Sequence, residues 1–322
     1  MRVFLTGGTG FIGQPLTRAL LKRGWEVTLL ARSGQSSIEG VRTVKGDVTD
    51  RETMRAGMAD ADIVFHNAGW YELGIASSAK AKMQAINVTG TENVLGLAAE
   101  LKIPRIVYTS STTAIGDTGG QTVDESFTRV SRPLTFYEQS KTEAHAIALK
   151  HQKQGAPIII VCPAQVLGPG DHSAFGYFAR LYVRNLLPPL IWAPDGAFTF
   201  SYVDDVAEGL ALAAEKGRVG ETYFFGGGSI TIRELMKVWK KAVGGIPPFI
   251  WLPRPLAVIQ GMMAEPLLRL FGISAFISRE VIEGSYVSFR YSSEKAKREL
   301  GWNPRSAEQA WIDTLLAEKA KK

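Results

Sequence analysis

The chain has 322 residues, 45% hydrophobic and 21% charged, enough for a sizeable packed core. Lys plus Arg exceed Asp plus Glu by six but are scattered, gathering only at Lys319, Lys321 and Lys322, so nucleic acid is not an expected partner while a phosphate-bearing ligand is favoured. A single cysteine, Cys162, excludes an internal disulfide and a thiolate zinc site, no metal-ligand spacing links His66, His145, His151 and His172, and the expected setting is reducing and cytoplasmic.

The first half alternates short apolar strands with amphipathic helices. Strands are predicted at Arg2–Thr6, Glu26–Ala31, Val41–Lys45, Ile63–His66, Arg105–Ser110 and Pro157–Cys162. Helices fit at Phe11–Arg23, Arg51–Gly57, Ser77–Leu101 and Phe136–Gln154. That order, with hydrophobic strands, predicts a doubly wound parallel α/β sheet. No basic-then-apolar leader precedes the first strand, so a secretory signal is not expected.

The second half is less regular. Residues 168–197 are rich in Gly, Pro and aromatics. A helix at Val203–Glu215 and a strand at Glu221–Phe225 are expected to return to the main sheet. Further helices are predicted at Thr231–Val243, Ser292–Leu300 and Ser306–Glu318. The first half therefore reads as one doubly wound α/β domain, rejoined by the Val203–Glu215 helix and the Glu221–Phe225 strand. The most apolar stretch, Pro255–Gly272, is interrupted by Glu265, Pro266 and Arg269 and is too broken to span a membrane. The apolar, basic segment Phe249–Arg269 reads as a lid or wall of the substrate domain, with a membrane-surface helix as the alternative.

Thr6–Gly13 reads T-G-G-T-G-F-I-G between a strand and a helix. Gly7 permits a tight turn, Gly10 a close approach of backbone to a pyrophosphate, and Gly13 close packing of the helix. The helix start then offers free N–H groups to phosphates. Thr9, Phe11 and Ile12 complete the loop. An acidic residue at the end of the second strand would bind the ribose hydroxyl of NAD. Arg32 stands there instead, followed by Ser33. A guanidinium suits a 2′-phosphate, so NADP(H) is preferred and NAD(H) remains possible; the alternative is an arginine that stacks on adenine without discriminating.

Asp47 and Val48 of G-D-V-T-D are candidates for the adenine, with Asp50 read as a helix cap. Asn67, Ala68 and Gly69 of H-N-A-G end the fourth strand and would lie against the cofactor. His66 itself reads as a packed histidine. Thr109 leads into Ser110, Ser111, Thr112 and Thr113 at the carboxyl edge of the fifth strand, where ligands bind in open sheets. Y-E-Q-S-K places Tyr137 and Lys141 one helical turn apart. A nearby ammonium favours the phenolate, so this pair suits proton exchange with a hydroxyl or carbonyl.

Taken together, these motifs resemble the extended short-chain dehydrogenase/reductase family over nearly the whole chain. The resemblance falls on T-G-G-T-G-F-I-G, Y-T-S-S, Y-E-Q-S-K, N-V-T-G-T from Asn87, P-A-Q-V-L-G-P from Pro163, V-D-D-V-A from Val203 and L-G-W-N-P-R from Leu300. It implies that Ser111, Tyr137 and Lys141 are catalytic, that Asn87 supports the active-site helix or relays water, and that Pro163 and Val166 sit near the nicotinamide. It also implies a Rossmann domain over 1–167, rejoined by 198–228, a smaller discontinuous substrate domain over 168–197 and 229–322, and a homodimer. Three activities follow: an NADP-dependent reductase acting on a small-molecule substrate, a nucleotide-sugar epimerase or dehydratase retaining NAD, or a non-catalytic redox sensor. The Arg, Asn and Tyr of the sugar-nucleotide pattern R-P-x-N-x-Y-G-P are absent around Pro163. With Arg32, this favours the reductase. Trp70, Tyr71, Phe175, Tyr177, Phe178 and Trp192 are candidate pocket residues for an apolar or aromatic carbonyl compound.

Overall fold

The computed structural model describes residues 1–271 and 275–321. Gly272, at the end of the apolar stretch, and Lys322 of the terminal basic cluster lie outside the described residues.

The first half contains β1 (Arg2–Thr6), β2 (Glu26–Ala31), β3 (Arg42–Lys45), β4 (Ile63–His66), β5 (Ile106–Thr109) and β6 (Ile158–Pro163). Its helices are α1 (Gly13–Lys22), α2 (Glu52–Met58), α3 (Ser77–Gln84), α4 (Gly90–Glu100) and α5 (Phe136–Lys153). All of these elements lie within a few residues of their expected positions. The one helix expected over Ser77–Leu101 is divided by a π-helical turn at Ala85–Thr89. Such a turn holds an extra residue and re-aims its side chains, and here it turns Asn87 inward, 2% exposed.

The second half adds β7 (Gln165–Leu167), α6 (Ala174–Val183), β8 (Leu190–Ile191), β9 (Ala197–Tyr202), α7 (Val203–Lys216), β10 (Thr222–Phe225), β11 (Ser229–Thr231) and α8 (Ile232–Val243). It closes with β12 (Ile250–Trp251), α9 (Arg254–Leu270), α10 (Arg279–Ser285), β13 (Ser288–Phe289), α11 (Glu294–Leu300) and α12 (Ala307–Ala320).

Seven strands form one parallel sheet in the order β3-β2-β1-β4-β5-β6-β10. Alternate residues point to opposite faces. Phe4, Val64, Ile106, Ile158 and Ile160 therefore share one core with α4 and α5. Leu5, Phe65, Val107, Ile159 and Val161 share the other with α1 and α7. Both faces being covered explains why β4, β5 and β6 are continuously apolar and buried.

The winding reverses between β1 and β4, and their carboxyl ends open a crevice at that switch point. β10 and α7 return to the main sheet, while β9 does not. It pairs antiparallel with β11 and parallel with β13 and β7, forming a second, small sheet. β7 follows β6 after one residue, so the chain passes directly from the main sheet to this one. A third, aromatic core built on Phe198, Phe200, Trp239 and Trp311 unites β9, α8 and α12.

Among the described residues no helix is long and apolar enough to cross a membrane. Trp302, 2% exposed, stacks on Phe225 at 4.4 Å and donates from Nε1 to the Asp205 carbonyl at 2.7 Å. It thereby fastens the C-terminal segment to α7. Trp302→Ala is expected to cost about 3–5 kcal/mol, read as a lower urea midpoint with an unchanged slope. A loss below about 1 kcal/mol would refute that anchoring role.

Candidate active site

A single cleft of about 700 Å³ runs from the switch point of the main sheet to α8 and α10. Its first half is the glycine loop. Gly7 has φ +72°, and a Cβ there would stand 2.6 Å from the Ala68 nitrogen. A Cβ at position 13 would lie 1.9 Å from the Gly7 carbonyl oxygen. No other residue fits either position without moving backbone. No side chain caps α1, which leaves its N-terminus available to an anion.

Gly7, Thr9, Gly10, Phe11 and Ile12 line the cleft, as do Asp47, Val48, Asn67, Ala68 and Gly69. Gly13 shapes the loop from beneath and lines nothing. Arg32 lines the same cleft, is exposed, and forms no ion pair with the described residues. One oxygen of Asp47 accepts from the Thr49 amide and hydroxyl at 2.9 and 2.8 Å. Asp50, expected to cap α2, stands one residue before its N-cap Arg51, where it accepts from the Glu52 amide at 3.3 Å. Asn67 Oδ1 is buried without a partner. An uncapped helix, a side-chain-free cradle and an orphaned acceptor beside it fit a bound dinucleotide. Pro163 and Val166 close the cleft from the β6 side. Thr109 lies behind it, and its hydroxyl is also without a partner.

The second half gathers the Ser, Tyr and Lys side chains. Ser111 and Tyr137 line the cleft, and Lys141 lies just beneath its wall, 7% exposed. Ser111 caps a short 3-10 turn, accepting from the Thr113 amide at 3.1 Å and donating to its hydroxyl at 3.0 Å. Burial pushes the Tyr137 phenol up to about 12, and the Ser111 hydroxyl beside it pulls the other way. No Ser111–Tyr137 hydrogen bond of ordinary geometry forms among the described residues. Burial holds the Lys141 ammonium down to about 8, with Cys162 opposing. Lys141 Nζ donates to the Thr109 carbonyl at 3.3 Å. The lowering of the tyrosine by its lysine, expected from the spacing, is not found: burial raises the phenol, and Ser111 alone opposes it.

Asn87 does not reach the cleft. It accepts from the Trp70 amide at 2.7 Å and donates to the Trp70 carbonyl and the Ser140 hydroxyl at 3.0 and 2.9 Å. Ser140 in turn donates to the Tyr137 carbonyl at 2.8 Å. Asn87 is thus a positioning residue that ties the β4 loop to α5. His66 is a packed histidine, as expected, with its two ring nitrogens bonded to Thr6 and Thr91 at 2.9 and 3.0 Å.

Of the expected pocket aromatics, Trp70, Tyr71, Phe175, Phe178 and Trp192 line the cleft. Tyr177 does not; it stacks on Phe276 at 5.0 Å and carries Arg180 at 4.7 Å from its ring. Several features escaped the sequence reading. Tyr71 stands edge-on to Tyr137 at 4.8 Å, and burial raises its phenol far above the ordinary range. His172 packs edge-on to Phe11 and lies 6.1 Å from Tyr71. Leu235, Met236 and Trp239 of α8 form a wall; their spacing reads only as a core-facing stripe.

The start of α5 is held by a buried ion pair that sequence spacing could not reveal. Arg129 pairs with Glu138 and also donates to the carbonyls of Thr113 and Ala114. Glu138 accepts from the Leu134 amide at 2.7 Å. One cluster therefore locks the turn after Ser111 to the turn that carries Tyr137.

The profile of the NAD dependent epimerase/dehydratase family matches residues 3–226. The 4-hydroxy-2-methyl-3-oxo-4-farnesyl-3,4-dihydroquinoline-1-oxide ketoreductase of Stigmatella aurantiaca is 31% identical, over 98% of this chain and 96% of its own. Short-chain dehydrogenase/reductase family 42E member 1 of Mus musculus is 30% identical, over 94% of this chain and 84% of its own. The solved UDP-glucose 4-epimerase of Thermotoga maritima superposes with a TM-score of 0.79 over 100% of this chain and 99% of its own. At 21% identity it shows a shared fold alone.

Removing one partner of a buried ion pair strands the other charge. Glu138→Ala is expected to cost about 3–5 kcal/mol in urea unfolding. The Arg129→Ala, Glu138→Ala double variant should lose less than the sum of the singles. Additive losses would show that the pair does not act as a unit.

Proposed function

This chain belongs to the NAD dependent epimerase/dehydratase family of extended short-chain dehydrogenases/reductases, and on that premise we propose that it is an NADP(H)-dependent oxidoreductase acting on the carbonyl or alcohol of an apolar substrate. The observation that carries this reading is one continuous cleft with two unlike ends. One end is a glycine cradle with Arg32 at its rim. The other is walled by Phe178, Leu187, Trp192, Leu235, Met236 and Val281. Ser111 and Tyr137 stand between them. An apolar wall of this kind binds an apolar body and penalises the hydroxyl-rich face of a sugar nucleotide. The farnesyl-bearing compound named for the Stigmatella relative is of the same chemical class.

In this reading the glycine loop and α1 would hold the pyrophosphate, Arg32 would pair with the 2′-phosphate, and Lys141 would hold the nicotinamide ribose. A bound NADPH would supply hydride chemistry at the carbonyl carbon. Tyr137 gives its phenolic proton to the oxygen, producing the alcohol. Ser111 donates a hydrogen bond to that oxygen once its hydroxyl turns from Thr113. Lys141 stabilises the phenolate left behind. Asn87 holds α5 in register through Ser140. The cofactor half comprises residues 1–163 and 203–228, while β7 and β9 join the small sheet and belong with the substrate half.

The deciding experiment is titration of cofactor-stripped protein with NADPH and NADH, then NADPH oxidation against a panel of hydrophobic ketones. NADPH preference that Arg32→Ala removes, with ketone-dependent oxidation that Tyr137→Phe lowers by about 10²-fold or more, is the expected result. Tight retention of NAD(H) without net oxidation would replace this reading with an epimerase or dehydratase.

The buried lysine also sets a pH dependence. Below its folded value of about 8 Lys141 is charged, while Tyr137, at about 12, keeps its proton throughout. Reduction needs both states. For the free enzyme, kcat/KM of reduction should be level at neutral pH and fall about tenfold per unit above pH 8. A profile rising through that range would contradict the assignment.

A further inference from the structure

We propose that Tyr71 and Gln165 form a second polar subsite beside the Ser111–Tyr137 pair, and that this subsite takes a hydroxyl group on the carbon next to the reacting carbonyl. The substrate is then a hydroxy ketone with an otherwise apolar body. This deepens the reductase reading and rests on it.

Several polar side chains at the substrate end of the cleft are already engaged within the protein. Ser110 shares a hydrogen bond with His145 at 2.9 Å, and Thr199 shares one with Ser229 at 2.6 Å. Asp171 accepts from the Ser173 amide and hydroxyl at 2.7 and 2.8 Å, one oxygen for each. Glu280 accepts from the Gly74 amide at 2.8 Å. Tyr71 and Gln165 differ. Both line the cleft and are half-buried, and neither side chain makes a hydrogen bond of ordinary geometry among the described residues. An apolar body seated in the cleft would displace water from both. They would then be stranded unless that body carried a partner for them.

Both residues are firmly placed. Tyr71 follows Trp70, whose amide and carbonyl are each bonded to Asn87. Gln165 opens β7 and stands in register with Phe200 of β9. The Tyr71 ring meets the Tyr137 ring edge-on at 4.8 Å. Burial, then Asp171 and Tyr137, hold the Tyr71 phenol far above the ordinary range, while the Gln165 amide beside it pulls the other way. Tyr71 therefore keeps its proton and is a donor, and the Gln165 carbonyl is an acceptor. Side by side they match a hydroxyl, which both accepts and donates. An ether or a second carbonyl only accepts, and would leave the Gln165 oxygen unpaired. The short separation of the two tyrosine rings places that hydroxyl on the substrate. Oxygens at opposite ends of a long molecule cannot meet Tyr71 and Tyr137 together, whereas oxygens on adjacent carbons can. Trp192, Leu235 and Met236 remain for the apolar body.

The test compares α-hydroxyisobutyrophenone with isobutyrophenone, ketones that differ only in the hydroxyl. That hydroxyl is tertiary and cannot be oxidised, so protein loaded with NADP+ binds either ketone without chemistry and calorimetric titration reads affinity alone. The wild type should bind the hydroxy ketone about tenfold more tightly, and with NADPH its kcat/KM should be higher by a similar factor. Tyr71→Phe keeps the ring against Tyr137 and removes only the hydroxyl, and Gln165→Leu removes the amide. Each variant should bind the two ketones alike. The wild-type preference is a readout that holds even if a variant folds poorly. Equal wild-type affinities, no measurable binding of the hydroxy ketone, or a preference that survives both substitutions would overturn the subsite. Reduction of both ketones with equal kcat/KM would also overturn it and leave the reductase standing. A tenfold preference in binding without NADPH oxidation would count against the reductase and leave the subsite standing.

Discussion

The site depends on one hydrogen-bonded strut. Asn87 accepts through Oδ1 from the Trp70 amide and donates through Nδ2 to both the Trp70 carbonyl and the Ser140 hydroxyl. Trp70 continues the loop that meets the glycine cradle, and Ser140 precedes Lys141 on the helix that carries Tyr137. A buried amide with every bond made is rigid, because loss of any one bond strands a donor or acceptor away from water. The π-helical turn is what allows this reach. A regular helix would carry position 87 to a different face, and the two halves of the cleft would be joined only by packing.

A second constraint is electrostatic. Lys141 lies in a layer where burial suppresses other charges. The imidazoles of His66 and His145 are held down to about 3 and about 4, first by desolvation and then by Lys141 itself. The Cys162 thiol is pushed up to about 12. Near neutral pH these neighbours are uncharged, so Lys141 has no buried counter-ion among them. Desolvation raises the phenol in the free protein, and this keeps it a proton donor rather than a phenolate.

The outer half of the molecule is governed by apolar surface rather than by polar bonds. The aromatic core around Trp239 and Trp311 holds α8 and α12 to the small sheet, and the same helix face supplies a wall of the cleft. Beyond it, α10 separates the cleft from α9. Apolar side chains thus form a band from the substrate half outward to the solvent-facing side of α9.

Much of this is legible in the chain alone, and the division follows the range of the forces involved. Strands β1 to β6, the glycine turn and the Tyr137–Lys141 spacing depend on periodicities of two and about four residues and on the lack of a Cβ, so they are local and readable. The Gly/Pro-rich stretch hid α6, whose start is set by a Ser173 cap within an aromatic run. Long-range choices were not readable. Which strand β9 joins, where the Arg129 guanidinium finds its carboxylate, the inward turn of Asn87, and which face of α9 meets the protein all depend on surfaces far apart in sequence. The amino-acid order by itself determined a parallel α/β fold and the chemical groups of its site. Only the tertiary structure decided their distances, their desolvation and what remained exposed, because burial is a property of the packed whole.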